Sequence, residues 1–249
     1  MLKVASTGRL ALAGLLALTV SACGGSATDS GKGAGGDRTV TDSAGAQVTV
    51  PAEPKRVLPL SEPTLDATLA LGIAPVATTT GRGQNAIPAY LKERAKGIKS
   101  VGGLGAPNLE QVAGLAPDVI LLDGTAFQDA AVIDKLRKIA PVVNVSKDGT
   151  DWRGSFEKTA DVLGRAEQGD DVLAKYDARV SEIKGGLGAN AGTSASIVRW
   201  SGIGLPAVFG KELCAGRVLT DLGLRRPAFQ DQIGPGHSVP VSLEEIEKL

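Results

Sequence analysis

Apolar and polar positions change period several times along the chain, and the changes predict a sequence of elements. Leu10 to Val20 is an unbroken run of apolar or small residues, preceded by Lys3 and Arg9. Gly24 to Asp37 is small and polar throughout, a composition that predicts a flexible tether rather than a packed element. Thr39 to Val50 then predicts a short hairpin turning at Asp42 to Gly45. Arg56 to Leu60 predicts a strand. Pro63 to Leu71, with Leu65, Leu69 and Leu71 at helical spacing, predicts a helix stopped by Gly72. Further strands are expected at Pro75 to Thr79, Asp118 to Leu122 and Val142 to Val145, and helices at Pro88 to Lys96, Leu109 to Leu115 and Asp129 to Ile139. Such alternation predicts a parallel sheet covered by helices.

The pattern then lengthens. Between Trp152 and Gly185, apolar residues at Phe156, Ala160, Leu163, Val172, Tyr176, Val180 and Ile183 predict a helical spacer, broken only around Gly169. It is longer than an ordinary crossover helix. Beyond it, Ala195 to Trp200 and Ala207 to Phe209 predict a second set of strands, and Val218 to Leu224 a helix closed by Gly223. An internal echo supports two lobes of related design: Asn108 to Leu115 is repeated in Ser242 to Leu249. The first copy runs into the strand after Pro117, whereas the second stops at the last residue, so the second lobe is expected to be incomplete.

The predicted fold is α/β, with two lobes of central sheets flanked by helices and joined by one long spine helix. The expected organisation is a leader over 1–22, a lipidated cysteine and tether over 23–38, an N-terminal lobe over 39–148, the inter-lobe helix over 149–187 and a truncated C-terminal lobe over 188–249.

Composition narrows the chemistry. With 249 residues and 43% hydrophobic content, the chain can form one large domain or two lobes with cores of their own. Without the leader it carries 25 basic against 27 acidic residues, a net charge of about −2 that argues against a nucleic-acid partner. His237 is its single histidine, which disfavours both a protein-ligated transition-metal site and acid–base catalysis. No enzyme motif is complete: Gly81 to Ala86 fits a loose dinucleotide pattern without the acidic strand end that should follow, and Gly210-Lys211 lacks the rest of a phosphate loop.

The segment Val20-Ser21-Ala22-Cys23 looks like a bacterial lipobox, following an apolar run too short to span a bilayer. It implies lipidation of Cys23 and a folded part held by acyl chains at the extracytoplasmic face of the membrane. An uncleaved anchor or a plain secretory signal are the alternatives. Cys214 is then a lone thiol, either a buried small apolar residue or a rim group.

Several segments together resemble the periplasmic-binding family that serves siderophore and cobalamin importers. They are Pro54-Lys55-Arg56-Val57, Ala70 to Val76, Asn108-Leu109-Glu110, Leu115 to Ile120, Val218 to Leu224 and Val241-Ser242-Leu243-Glu244, and they cover residues 53–249. The resemblance implies two lobes joined by a long helix with limited closure, a ferric siderophore as ligand, no cofactor, and the permease of an ATP-binding-cassette importer as partner. It also implies one acidic docking residue per lobe, by position Asp66 and Glu244, with Glu62 in reserve; each also suits a helix N-terminus stabilised by the dipole. Cobalamin or haem binding is the alternative within the family, although an aromatic content of 3% offers few broad walls for such ligands. A non-transport extracytoplasmic lipoprotein is the alternative outside it.

In open α/β sheets ligands bind beyond the carboxyl ends of the strands. The corresponding loops hold Arg82, Thr125, Arg199, Trp200 and Lys211. Arg82, Arg199 and Lys211 suit an anionic chelate, and Trp200 suits a planar one. Trp152, at the entrance to the spacer, joins them as a ligand candidate. An ordinary solvated charge at Arg82 and plain packing at both tryptophans are the alternatives.

Overall fold

Two strands come first among the described residues: β1 (Asp37–Thr41) and β2 (Gln47–Pro51) pair antiparallel in the predicted hairpin. Asp42 closes the turn, its Oδ1 accepting the amides of Ala44 and Ala46 at 2.8 Å, the local bonding that makes aspartate a turn former. The computed structural model describes residues 36–127, 129–200, 206–232 and 238–248. The leader, Cys23 and His237 lie outside the described residues.

The central sheet forms from β3 (Val57–Pro59) and, further along the chain, two strands paired with it in parallel. After β3 come α1 (Glu62–Ala70), the two-residue strands β4 (Gly102–Gly103) and β5 (Ala106–Pro107), and α2 (Leu109–Gly114). Then follow β6 (Val119–Asp123), α3 (Ala130–Arg137) and β7 (Val142–Ser146). The strand order is β3-β6-β7, all parallel. Alternate residues divide β6 and β7 between two cores. Val119, Leu121, Val143 and Val145 pack with α1 and the hairpin on one face. Ile120, Leu122 and Val142 pack with Val112 of α2 and Leu136 of α3 on the other. Burial on both faces explains why these strands are almost continuously apolar.

Polar caps fix where the helices begin. Ser61 caps α1 and Thr64 answers it in a capping box, Asn108 accepts the Gln111 amide at the start of α2, and Asp129 accepts the Ala131 amide at the start of α3. Two expectations fail nearby. Pro75 to Thr79 forms only an isolated bridge between Thr78 and Ser100, and Pro88 to Lys96 holds a single 3-10 turn over Ala89–Leu91.

The expected single spine helix is two helices, α4 (Trp152–Val162) and α5 (Ala166–Gly186). The break falls at Gly164 rather than Gly169. Gly164 sits at φ 64°, and a Cβ there would collide with the Ala52 carbonyl, so only glycine fits. Gly169 lies inside α5, and a Cβ on it would stand 2.7 Å from the Ala160 Cβ. Its role is close approach: α5 crosses α4 where neither side chain intervenes, and Phe156, Ala160 and Leu173 join the core there.

The last segment holds β8 (Val198–Trp200), β9 (Pro206–Phe209), α6 (Cys214–Asp221) and β10 (Ser238–Pro240). Its sheet, β10-β9-β8, is antiparallel, so the two sheets do not share a design. The repeated segment at Leu243–Lys248 is helical in its 3-10 form, with the Glu245 amide bonded to the Ser242 carbonyl at 3.0 Å. The helix expected at Val218 to Leu224 begins earlier, at Cys214. Its first turn lies close against the preceding loop, where Gly216 meets the Gly210 and Lys211 carbonyls.

Candidate ligand-binding site

The carboxyl ends of β6 and β7 shape the site. Pairing slips by one residue after Leu122, so that Asp123 lies opposite Ser146; a bulge of this kind re-aims side chains at a strand end. Gly124 follows Asp123 and packs so tightly against the Ser146 and Lys147 carbonyls that no side chain would fit. Beyond these ends lies a cavity of about 500 Å³, walled by α1, α4 and α5, with Phe156, Val145 and Leu173 supplying its apolar floor.

Among the described residues, three carboxylates face this cavity: Glu62, Asp66 and Asp123. Glu62 accepts the Arg82 amide at 3.1 Å, and Asp66 pairs with Arg94 at 3.4 Å. Burial raises the Asp66 pKa against the opposing pull of Arg94. Asp123 is 2% exposed and accepts one bond, from the Thr125 amide to Oδ1 at 2.8 Å. Tyr90 stands at the rim of the same cavity, 67% exposed overall, with partial desolvation of its phenol and the Asp66 and Glu62 charges pushing it up to about 12.

Trp152 borders both this cavity and a second one of about 350 Å³. Asp151 caps α4 by accepting the Gly154 amide, which fixes Trp152 as the first helical residue. The Trp152 ring meets Tyr176 of α5 edge to face, centroids 4.9 Å apart and planes at 68°. Arg153 lays its guanidinium 5.4 Å from one centroid and 5.5 Å from the other, and is anchored by Asp177. Tyr176 donates to Asp221 of α6, and burial followed by that bond raises its pKa well above the ordinary phenol value.

The second cavity lies between α4 and the loop leading into α6, and is charged. Lys211 and Arg217 line it with Arg153, facing Asp151, Glu212 and Asp221. Lys211 pairs with Asp231 at 3.4 Å, and Arg217 donates from Nε to the Thr150 and Glu212 carbonyls.

The sequence-derived candidates divide accordingly. Trp152 and Lys211 line the cavities, and so does Asp66, which was expected to serve docking instead. Thr125 lies just behind, its methyl group against Gly149 of the cavity wall. Arg82 reaches the site through its backbone. Arg199 and Trp200 sit exposed on β8, outside the linings of both cavities. Glu244 is exposed on the C-terminal 3-10 turn. Cys214 is a rim thiol of the larger cavity, and burial, with Asp221 and Asp66, raises its pKa. Sequence reasoning missed Arg153, Tyr90, Arg217 and the Tyr176–Asp221 bond. Arg153, directly after Trp152, was the one detectable signal, since arginine and aromatic residues at a helix start can stack.

Among the described residues, no group of three His, Cys, Asp or Glu side chains could hold a metal ion. No described helix is long and apolar enough to cross a membrane.

Comparison with known proteins adds a lineage. The sequence profile of the periplasmic binding protein family matches residues 62–249. "Probable siderophore-binding lipoprotein YfiY" of Bacillus subtilis is 32% identical over 218 residues, covering 87% of this chain. The chain spans 66% of YfiY, just under two thirds of its length. The iron(3+)-hydroxamate-binding protein FhuD of the same species is 32% identical over 247 residues, covering 93% of this chain and 74% of FhuD. Staphylococcus aureus SirA, solved in complex with staphyloferrin B, aligns at a TM-score of 0.71 with 27% identity, covering 84% of this chain and 72% of SirA.

Proposed function

Since the chain belongs to the periplasmic binding protein family, we propose that it captures a ferric siderophore outside the cytoplasm and hands it to the permease of an ATP-binding-cassette importer. The observation that carries this reading is the site itself. A cavity at the carboxyl ends of parallel strands opens beside a charged one, and the Trp152–Tyr176 pair stands between α4, α5 and the residues of α6. The names of YfiY, FhuD and the SirA complex support the class of ligand.

On this reading Arg153, Lys211 and Arg217 receive the oxygen-rich part of the chelate, since guanidinium and ammonium groups match carboxylate, hydroxamate and catecholate oxygens. Trp152 and Tyr176 pack against its organic frame. The family is one of binding proteins, and no bond is made or broken. Cys23 carries the lipid that holds the protein at the membrane, and exposed Glu244 is offered to the permease. Asp66, half-buried in the cavity wall, is assigned to the ligand.

Tryptophan fluorescence of the protein from Gly24 onward tests the proposal, because Trp152 borders both cavities. Saturable quenching is expected with one class of ferric chelate and not with its iron-free form. Silence toward ferric hydroxamate, catecholate and citrate chelates, from a folded sample, would overturn it.

A further inference from the structure

We infer that the larger cavity takes a protonated amine, so that the ligand is a chelate with a pendant organic cation rather than a purely anionic one. The inference rests on the siderophore reading and specifies its ligand. Glu62, Asp66 and Asp123 face the cavity, and among the described residues no lysine, arginine or histidine lines it, although Asp66 pairs at 3.4 Å with Arg94 behind the lining. A lining of this charge repels the free carboxylates of an anionic chelate, which belong in the neighbouring cavity with Arg153, Lys211 and Arg217.

Asp123 makes the case specific. It is 2% exposed, lines the cavity, and accepts the Thr125 amide on Oδ1 at 2.8 Å. A carboxylate so far removed from water is costly unless a donor or cation completes it, and the cavity it faces is where such a group would sit. The aromatic walls suit the same guest. Trp152 and Tyr176 already hold one cation, Arg153, against their rings, and both border the cavity, as does Tyr90.

A bare metal ion does not fit. Among the described residues no three acidic side chains gather closely enough to hold one. Carboxylates spread over the walls of a 500 Å³ space suit an ammonium at the end of an apolar arm, with Phe156 and Leu173 covering its methylenes.

Isothermal titration calorimetry on the protein from Gly24 onward tests this with three probes: ferric desferrioxamine B, a trihydroxamate with a free primary amine; its N-acetylated form; and pentane-1,5-diamine without iron. Acetylation is expected to weaken binding about ten-fold or more, as loss of a charge-assisted contact does. The difference should shrink toward none in Glu62→Gln and in Asp123→Asn. Glu62→Gln, at a partly exposed position, keeps the test valid should Asp123→Asn fail to fold. Equal binding of the two ferric chelates, or binding of other ferric chelates with none of the diamine, overturns the amine site and leaves the siderophore reading intact. Diamine binding that both variants abolish, with every ferric chelate inert, upholds the amine site and overturns the siderophore reading. Silence toward all three probes overturns the amine site, and the siderophore reading falls with it only if ferric catecholate and citrate chelates are silent as well.

Discussion

Tyr176 donates its phenolic hydroxyl to Asp221 Oδ2 at 2.7 Å, which ties α5 to the end of α6. The bond joins the helices beside the parallel sheet to the segment that carries the antiparallel one. A hydrogen bond to a charged acceptor contributes about 1.5–3 kcal/mol when sheltered and less when wet. Tyr176→Phe is expected to lower unfolding stability by about 1 kcal/mol, measured by urea titration. A double-mutant cycle with Asp221→Ala should return a coupling of similar size. A coupling near zero would show that the two groups do not interact in solution.

Asp66 sets the direction of a pH effect. Burial holds its folded-state pKa above the ordinary value of 3.8. A carboxyl shifted upward favours the folded state while protonated, so its contribution is fully present below 3.8 and is lost as pH rises through the folded pKa. Asp66→Asn removes that loss. The variant should therefore melt slightly higher than the parent at pH 7, with the gap closing below pH 3.8. The side chain is 45% exposed and Arg94 is near, so the gain is small. A variant less stable at pH 7 would mean that the Arg94 pair outweighs burial.

Apart from Pro75 to Thr79 and Pro88 to Lys96, the parallel half was legible because its signals are local. The turn at Asp42 to Gly45, the helix stop at Gly72 and the apolar strands around Pro117 and Pro141 act within a few residues of themselves. The break in the spacer was misplaced because two glycines compete for it, and choosing between them needs the neighbours. Gly164 meets the Ala52 carbonyl, over a hundred residues away, whereas Gly169 meets Ala160. The site was half legible for the same reason. Strand ends point to Thr125 and Lys211, but Tyr176 with Asp221, or Arg153 with Asp177, become partners only once α4, α5 and α6 have packed. Arg199 and Trp200 follow the same strand-end rule and end up exposed, because β8 lies at the edge of an antiparallel sheet, where that rule carries no force.

Two glycines in one helix should respond oppositely to alanine. At Gly169 a new Cβ would stand 2.7 Å from the Ala160 Cβ, forcing α5 off α4 at a cost of about 1–3 kcal/mol. At Gly185 of the same helix nothing lies within 4 Å. There Gly185→Ala should stabilise by about 0.5–1 kcal/mol through helix propensity alone. Thermal melts of the two variants decide whether the α4–α5 contact is as close as described.

Cys214 offers a chemical reading of occupancy. It is the sole thiol of the chain from Gly24 onward, and it lines the larger cavity near Asp221 and Asp66. Burial and these charges raise its pKa above 9.0, so little thiolate, the reactive form, exists at pH 8. Alkylation by iodoacetamide should accordingly be slow at pH 8, rise steeply above pH 9.0, and match that of an ordinary thiol in urea. A bound ferric chelate should slow it further, since the guest and the reagent share one opening. Protection that saturates with the same midpoint as tryptophan quenching would place Cys214 and Trp152 at one site; a rate indifferent to a ligand that quenches Trp152 would put the guest entirely in the smaller cavity beside Lys211 and Arg217.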